Sequence, residues 1–160
     1  MDDTRRDFEG RSALVTGAGS GIGAACAEAL AARGAARLFL NDIRPDGLDR
    51  LSLGECEVVP AIGSVADPEF WQRLEGDLAG LDHAIVNAGI GSGGALTTLD
   101  MATWRRVMDV NLDGAFLTLS TAMRAMSEEG GSVVVVSSTS GLKPVPGIGP
   151  YGVSKAAVAH

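Results

Sequence analysis

Tyr151 and Lys155 are the two residues of this chain whose types and spacing are best suited to chemistry. They stand four positions apart in YGVSKAAVAH, so on a helix both side chains lie on one face. Ser138 follows the apolar run SVVVVS, where a strand is predicted to end. A hydroxyl, a phenol and an ammonium at one edge could polarise a carbonyl group and deliver its proton. Each residue alone has an ordinary role in packing, solvation or a turn, so the prediction depends on their occurring together.

A glycine-rich segment, TGAGSGIG from Thr16 to Gly23, joins a predicted strand to a predicted helix. Glycines at such a turn let the backbone approach a pyrophosphate, and the free N–H groups and the helix dipole offset its charge. The segment therefore favours a dinucleotide site. A glycine-rich turn without a ligand is the alternative.

Asp42 ends the second predicted strand, nineteen positions after Gly23. At that spacing an acidic residue can accept hydrogen bonds from the hydroxyls of the adenosine ribose. A carboxylate there also repels a 2′-phosphate, and Ser20 stands in the turn where a basic residue would help to bind NADP. NAD is therefore the preferred cofactor, although nearby Arg44 leaves NADP open.

Apolar runs of strand length alternate with longer amphipathic stretches along the chain. Strands are predicted from Ser12 (SALVTG) and over 36–42, 57–61, 83–87 and 132–137. Helices are predicted over 21–34, 45–53, 68–78 and 100–127, with a last one from Tyr151. Uninterrupted β-branched runs such as VVVV suit strands covered on both faces, so we expect an α/β fold with a doubly wound parallel sheet. Ligands bind such sheets at the carboxyl ends of the strands.

The composition restricts the class of partner. The 160 residues include 13 basic and 20 acidic ones, a net charge of -7, and no stretch gathers Lys or Arg into a patch. We therefore expect neither nucleic acid nor a membrane surface as a partner. Two cysteines without metal-ligand spacing, and an acidic start where a secretory signal would be basic, predict a cytoplasmic protein without a metal site.

The chemical residues also occur in a familiar order. Gly17-xxx-Gly21-x-Gly23, Asn87-Ala88-Gly89, Asn111, Ser138 and Tyr151-xxx-Lys155 together resemble the short-chain dehydrogenase/reductase family. The resemblance runs from about Gly10 to His160, and its most specific part is YGVSKAA, with twelve residues between Ser138 and Tyr151. It implies a Rossmann fold in which one domain, residues 1–160, carries both the cofactor site and the catalytic residues.

The resemblance also implies a role for each residue. Tyr151 would be the general acid/base, Ser138 would bind the substrate oxygen, and Lys155 would hold the nicotinamide ribose and stabilise the phenolate. Asn111 would complete a proton relay through water. The predicted cofactor-binding residues are Gly17, Ser20, Gly21, Ile22, Gly23, Asp42, Asn87, Ala88, Gly89, Tyr151 and Lys155. Ser64 departs from the family pattern, which commonly has an Asp there to contact the adenine.

These observations predict an oxidoreductase that transfers hydride between NAD and a secondary alcohol or ketone. The alternatives are an NADPH-dependent ketoreductase and a noncatalytic dinucleotide-binding protein. Because the helix from Tyr151 has no stop signal before His160, we expect the C-terminal strands and the substrate loop to be missing, which leaves the strand at 132–137 as an exposed edge. The family resemblance further implies a homo-oligomer formed through the helices of Asn111 and Tyr151.

Overall fold

In the computed structural model, which describes residues 6–160, five parallel strands form a single sheet. The strands are β1 (Ser12–Thr16), β2 (Arg37–Asp42), β3 (Glu57–Ile62), β4 (His83–Val86) and β5 (Ser132–Val135). The helices are α1 (Gly21–Ala32), α2 (Pro68–Leu74), α3 (Met101–Met108), α4 (Gly114–Ala125) and α5 (Gly149–Ala159). None of the helices within 6–160 is both long and apolar enough to cross a membrane. Residues 1–5, which the predicted domain and the predicted absence of a secretory signal include, lie outside the described range.

The strands lie in the order β3-β2-β1-β4-β5, which confirms the predicted doubly wound sheet. Strand order reverses at β1, whose two neighbours are β2 and β4. A crevice opens at such a reversal, beyond the carboxyl ends of the strands. The glycine turn, Asp42 and Asn87 all follow these three strands, so the topology brings the candidate residues to one edge of the sheet.

The core has two halves, one on each face of the sheet. Leu14 and Phe39 point to one face, where Trp71 and Leu74 of α2 pack on them together with Ala122 of α4. Successive strand residues point to opposite faces, so the neighbours of Leu14 and Phe39 face the other way. That second half contains Ala13, Val15, Leu38 and Leu40, packed with Ala27 and Leu30 of α1. Burial on both faces explains the unbroken apolar character of β1 and β2.

The helix predicted over 45–53 is wrong. The structure has a single 3-10 turn there, Leu48–Arg50, in which Leu48 is buried. Gly47 packs so closely on the glycine turn that a Cβ would collide with the Gly19 carbonyl. This contact, together with the low helix propensity of glycine, holds the segment as a connection rather than a helix.

The helix predicted over 100–127 is continuous from Met101 to Ala125 but changes its winding in the middle. A π-helical turn, Asp109–Asp113, separates α3 from α4 and contains the buried Asn111. Such turns commonly occur at functional sites because they redirect a side chain out of the regular helical face. The other predicted helix bounds differ by a few residues: α2 ends at Leu74, and α5 begins at Gly149.

The Thr16 hydroxyl joins β1 to the segment that follows β4. Its Oγ1 accepts the backbone N–H groups of Asn87 at 3.0 Å and Ala88 at 3.1 Å. The Asn87 amide in turn donates to the Thr16 carbonyl at 2.9 Å. Thr16 is completely buried, and Asn87 and Ala88 are half-buried. This connection fixes both walls of the crevice relative to each other.

We predict that Thr16→Val lowers the free energy of unfolding by about 1–2 kcal/mol, because it keeps the side-chain shape but leaves the N–H groups of Asn87 and Ala88, both half-buried residues, without their acceptor. Thr118→Val is the matched control. The Thr118 side chain is equally buried, but its hydroxyl donates to the Gly114 carbonyl within the same helix, so its loss costs less than about 1 kcal/mol. Urea unfolding of both variants measures the difference, and equal losses would contradict this role of Thr16.

Candidate functional site

A cleft of about 520 Å³ lies at the reversal point of the sheet. Eight of the predicted cofactor-binding residues line it: Gly17, Ser20, Gly21, Ile22, Asp42, Asn87, Ala88 and Gly89. The cleft also contains Asn41, Ile43, Gly63, Ser64, Val65, Ile90, Arg106 and Val110. Its volume falls within the range of about 300–1,000 Å³ that is usual for small-molecule sites.

The glycine turn forms the floor of this cleft. Gly17 has a φ of +65°, which L side chains rarely adopt, and this conformation reverses the chain between β1 and α1. Gly23 lies beneath the turn, where a Cβ would collide with the Gly17 carbonyl. No side chain caps the N-terminus of α1, and its first turn contains no acidic residue. The first N–H groups of α1 are therefore available to an anion.

Asp42 stands at the rim of the cleft. One carboxylate oxygen accepts the N–H of Gly19 at 2.9 Å, and the other accepts the N–H of Ile43 at 2.8 Å. These bonds fix the carboxylate beside the glycine turn. Oδ1 also accepts the N–H of Arg44 at 3.4 Å, so it is Oδ2, the acceptor of the Gly19 N–H, that keeps acceptor capacity for a hydroxyl group in the cleft.

Asn111 connects three parts of the site. Its Oδ1 accepts the N–H of Ile90 at 2.8 Å, and its Nδ2 donates to the Ile90 carbonyl and to Ser154 Oγ, each at 3.0 Å. The residue therefore joins the α3–α4 segment to the loop after β4 and to α5. Both amide protons are used in these bonds, so a water in the predicted relay could bond only to the remaining lone pair of Oδ1.

Gly23, Tyr151 and Lys155, also predicted to bind the cofactor, do not line the cleft, but the buried Lys155 side chain lies beside Gly89, which does. Its Nζ donates to the Val136 carbonyl at 2.7 Å, and a Cβ at Gly89 would lie 3.5 Å from the same nitrogen. Burial lowers the pKa of the Lys155 ammonium. The Nζ lies 5.9 Å from the centroid of the half-buried Tyr151 ring. The Tyr151 hydroxyl makes no hydrogen bond within residues 6–160.

Ser138 follows β5 and starts the 3-10 turn Thr139–Gly141. Its Oγ accepts the N–H of Ser140 at 3.2 Å and the hydroxyl of Ser140 at 2.9 Å. With its acceptor capacity used in this way, Ser138 has a proton to donate. The turn packs directly on α5, because a Cβ at Gly141 would lie 2.7 Å from the Lys155 carbonyl carbon. The turn that Ser138 starts therefore lies against the helix that carries Tyr151 and Lys155.

Three further residues of the site were not predicted from the sequence. Thr16 joins the walls, as described above. Asn41 is buried at the end of β2, where its amide donates to the carbonyls of Ala61 at 2.8 Å and Gly63 at 3.0 Å. Arg106 reaches the cleft from α3. Asn41 could have been predicted, because it is a polar residue near the end of an apolar strand. Arg106 could not, because the sequence does not distinguish it from the neighbouring Arg105.

The departure at Ser64 is visible in the cleft as well. Ser64 lines the cleft, and its Oγ accepts the N–H of Ala66 at 3.2 Å. Asp67 is instead the N-terminal cap of α2, where it accepts the N–H of Glu69 at 2.9 Å. The nearby carboxylate is therefore engaged in helix capping and does not replace the missing Asp.

Comparison with known proteins decides the family. The model of the short chain dehydrogenase family matches residues 11–160. The chain belongs to this family. Among relatives of this short chain dehydrogenase, cis-4-hydroxycyclohexanecarboxylate dehydrogenase of Sinomonas cyclohexanicum is 36% identical over 96% of the chain. Galactitol 2-dehydrogenase of Rhizobium johnstonii is 38% identical, also over 96% of the chain.

Solved structures agree with this assignment. A 3-oxoacyl-[acyl-carrier protein] reductase from Brucella melitensis, solved with bound NAD, has a TM-score of 0.86 and 29% sequence identity over 96% of this chain. The chain spans 65% of the length of the Sinomonas relative, and 63% of the Rhizobium enzyme and of the Brucella structure.

We predict that Arg106→Ala weakens the binding of NAD about fivefold, because an exposed cation close to a dianionic ligand contributes about 1 kcal/mol. Arg105→Ala is the matched control, since this neighbouring arginine is exposed but does not line the cleft. Calorimetric titration at low and high salt measures both effects. If the two variants weaken NAD binding equally, Arg106 has no specific role in the cleft.

Proposed function

We propose that the chain binds NAD in this cleft and interconverts a secondary alcohol and a ketone. The observation that carries the proposal is the distribution of groups along the cleft. The uncapped start of α1 and the Asp42 carboxylate lie at one part of it, and Gly89, which lines another part, has the Lys155 ammonium beside it. An anion-binding turn, a ribose acceptor and a catalytic cation are the groups that a nicotinamide dinucleotide needs.

The chain offers a place for each part of the dinucleotide. The pyrophosphate would lie over the glycine turn, near Ser20, Gly21 and Ile22, where N–H groups are free. The adenosine ribose would bond to Asp42. The nicotinamide half would then extend toward Asn87, Ala88 and Gly89, where Lys155 would hold its ribose. Bound NAD supplies the oxidant of the reaction, as it accepts the hydride that leaves the alcohol carbon.

The residues of the chain then have to handle one proton. Ser138 would donate its hydroxyl proton to the substrate oxygen in a hydrogen bond and so fix its position. Tyr151 would take the proton of the alcohol during oxidation and return it to the carbonyl oxygen during reduction. The Lys155 ammonium, 5.9 Å from the centroid of the Tyr151 ring, would bond to the nicotinamide ribose beside that ring. Asn111 bonds to Ile90 in the loop after β4 and to Ser154 in α5, and so holds the loop and the helix together.

The preference for NAD over NADP depends on Asp42. A 2′-phosphate would bring a second anion next to a carboxylate that two backbone N–H groups already hold in position. We predict that Asp42→Ala weakens NAD binding about tenfold, as the loss of a charged hydrogen-bond acceptor implies, and improves NADP binding relative to NAD.

Asp46→Ala is the control for this substitution, because Asp46 is an exposed carboxylate of the same segment and does not line the cleft. Calorimetric titration of both nucleotides measures the affinity ratio. A ratio that stays the same in Asp42→Ala would show that Asp42 does not select the cofactor, and tighter binding of NADP to the unmodified chain would favour the ketoreductase.

Tyr151→Phe removes the proton-transferring hydroxyl and keeps the ring. We predict that this variant binds NAD like the unmodified chain and loses at least about 100-fold in turnover, the usual contribution of a general acid/base. Dehydrogenase assays over a panel of secondary alcohols, with NAD titrations of the same samples, measure both quantities. Tight NAD binding without turnover in the unmodified chain would instead support the noncatalytic alternative.

We also propose that the protein associates with copies of itself in the cytoplasm. Phe116 and Met123 lie seven positions apart on α4, and their side chains are 66% and 61% exposed. That spacing puts both on one helix face, which a second copy could cover. Cys26 and Cys56 are free, which fits a reducing compartment.

A further inference from the structure

A second concave surface, which we name the apolar groove, lies between the loop after β4 and the segment that connects β5 to α5. Its volume is about 530 Å³, and Leu96, Leu142, Val145, Ile148 and Val153 contribute its larger side chains. The N–H of Gly94 donates to the Gly147 carbonyl at 2.8 Å, so one wall is joined to the other. The groove is therefore preformed.

The groove begins beside the candidate proton-transfer residues. Ser140 lines it, and the Ser140 hydroxyl donates to Ser138 Oγ at 2.9 Å. Gly152, the residue after Tyr151, also lines it, and a Cβ at this glycine would lie 3.1 Å from the Ser140 carbonyl. A molecule whose oxygen bonds to Ser138 and Tyr151 can therefore extend its remaining atoms into the groove.

The residues that line the apolar groove carry no charge. No Asp, Glu, Lys, Arg or His of residues 6–160 lines the groove, and Leu96 and Leu142 are 71% and 78% exposed. A charged or hydroxyl-rich group would lose its water there without gaining a partner, whereas an apolar group would cover exposed leucine and valine surface. Exposed apolar side chains gathered in one concave surface are typical of a ligand site.

We propose that the apolar groove binds the uncharged hydrocarbon body of the substrate, so that the substrates are apolar secondary alcohols and ketones rather than polyols or hydroxy acids. This inference rests on the proposed function, because the oxygen of such a substrate has to lie at Ser138 and Tyr151. It specifies the substrate class for which the reaction is selective.

Acetophenone and 4-acetylbenzoate form a matched pair of probes, because they differ only in a carboxylate on the far side of the ring. Both are titrated into the isotope-labelled chain in the presence of NAD, and backbone amide shifts are followed by NMR. We expect acetophenone to bind at least about tenfold more tightly than 4-acetylbenzoate, as the cost of burying an unpaired charge implies. The shifted amides should include those of Leu96, Ser140 and Leu142.

Leu142→Lys and Val145→Lys introduce a cation at exposed positions of the groove, where the fold tolerates it. Either variant should reverse the preference, so that 4-acetylbenzoate binds more tightly than acetophenone. Ile62→Lys makes the same change at an exposed position of β3 that lines neither the cleft nor the groove, and it should leave the order unchanged.

Three results would overturn the inference: equal binding of the two probes, shifts confined to amides outside the groove, or an unchanged order in both groove variants. Sedimentation of the same samples tests whether the groove is instead a contact with a second copy of the chain. If the groove variants dissociate an oligomer without changing probe binding, the groove belongs to that contact and the inference is contradicted. NAD titration of each sample separates this failure from that of the proposed function. Absent NAD binding contradicts the function, whereas NAD binding without a probe preference contradicts the inference alone.

Discussion

The hydroxyl of Thr16 accepts two backbone N–H groups from the segment after β4, and the geometry of the site depends on this connection. Strand order reverses at β1, so a crevice opens beyond the carboxyl ends of β1 and β4. Thr16 and the Asn87 amide bridge this crevice from below, which keeps the glycine turn and the loop at Gly89 at a constant separation. The topology of the sheet thus produces the cleft, and the side chains of Thr16 and Asn87 make it rigid.

Near Asn111 and Lys155, the site contains buried polar groups, and nearly all of them have hydrogen-bond partners. Asn111 uses both of its amide protons and one lone pair of its oxygen, and the Lys155 ammonium lies against the Val136 carbonyl at 2.7 Å. Burial disfavours that charge, so the ammonium can be kept there only by the surrounding fold. Free hydrogen-bonding capacity remains at the first N–H groups of α1, the Ser138 proton and the Tyr151 hydroxyl, which are groups that we propose to meet a ligand. This division separates the residues that build the site from those that would act in it.

The sequence predicted the sheet well because β1, β2 and β5 are apolar runs that are too short for helices. The predicted residues around the glycine turn, Asp42 and Asn87 line one cleft, since each directly follows a strand of the same sheet. The π-helical turn at Asn111 could not be predicted, because helical periodicity does not distinguish it from a regular turn. The helix predicted over 45–53 was wrong for a related reason. The contact of Gly47 with Gly19, which is distant in sequence, decides the conformation of this segment. Thr16 and Arg106 become functional candidates only when the neighbouring strands and helices are in register.

A crystal structure of the chain with NAD tests the central claim most directly, namely that the crevice braced by Thr16 is a dinucleotide site that ends at Tyr151 and Lys155. The account predicts the pyrophosphate on the N–H groups at the start of α1, the adenosine ribose on Asp42, and the nicotinamide ribose within hydrogen-bond distance of Lys155 Nζ. NAD bound in the opposite direction, or bound outside this crevice, would contradict it.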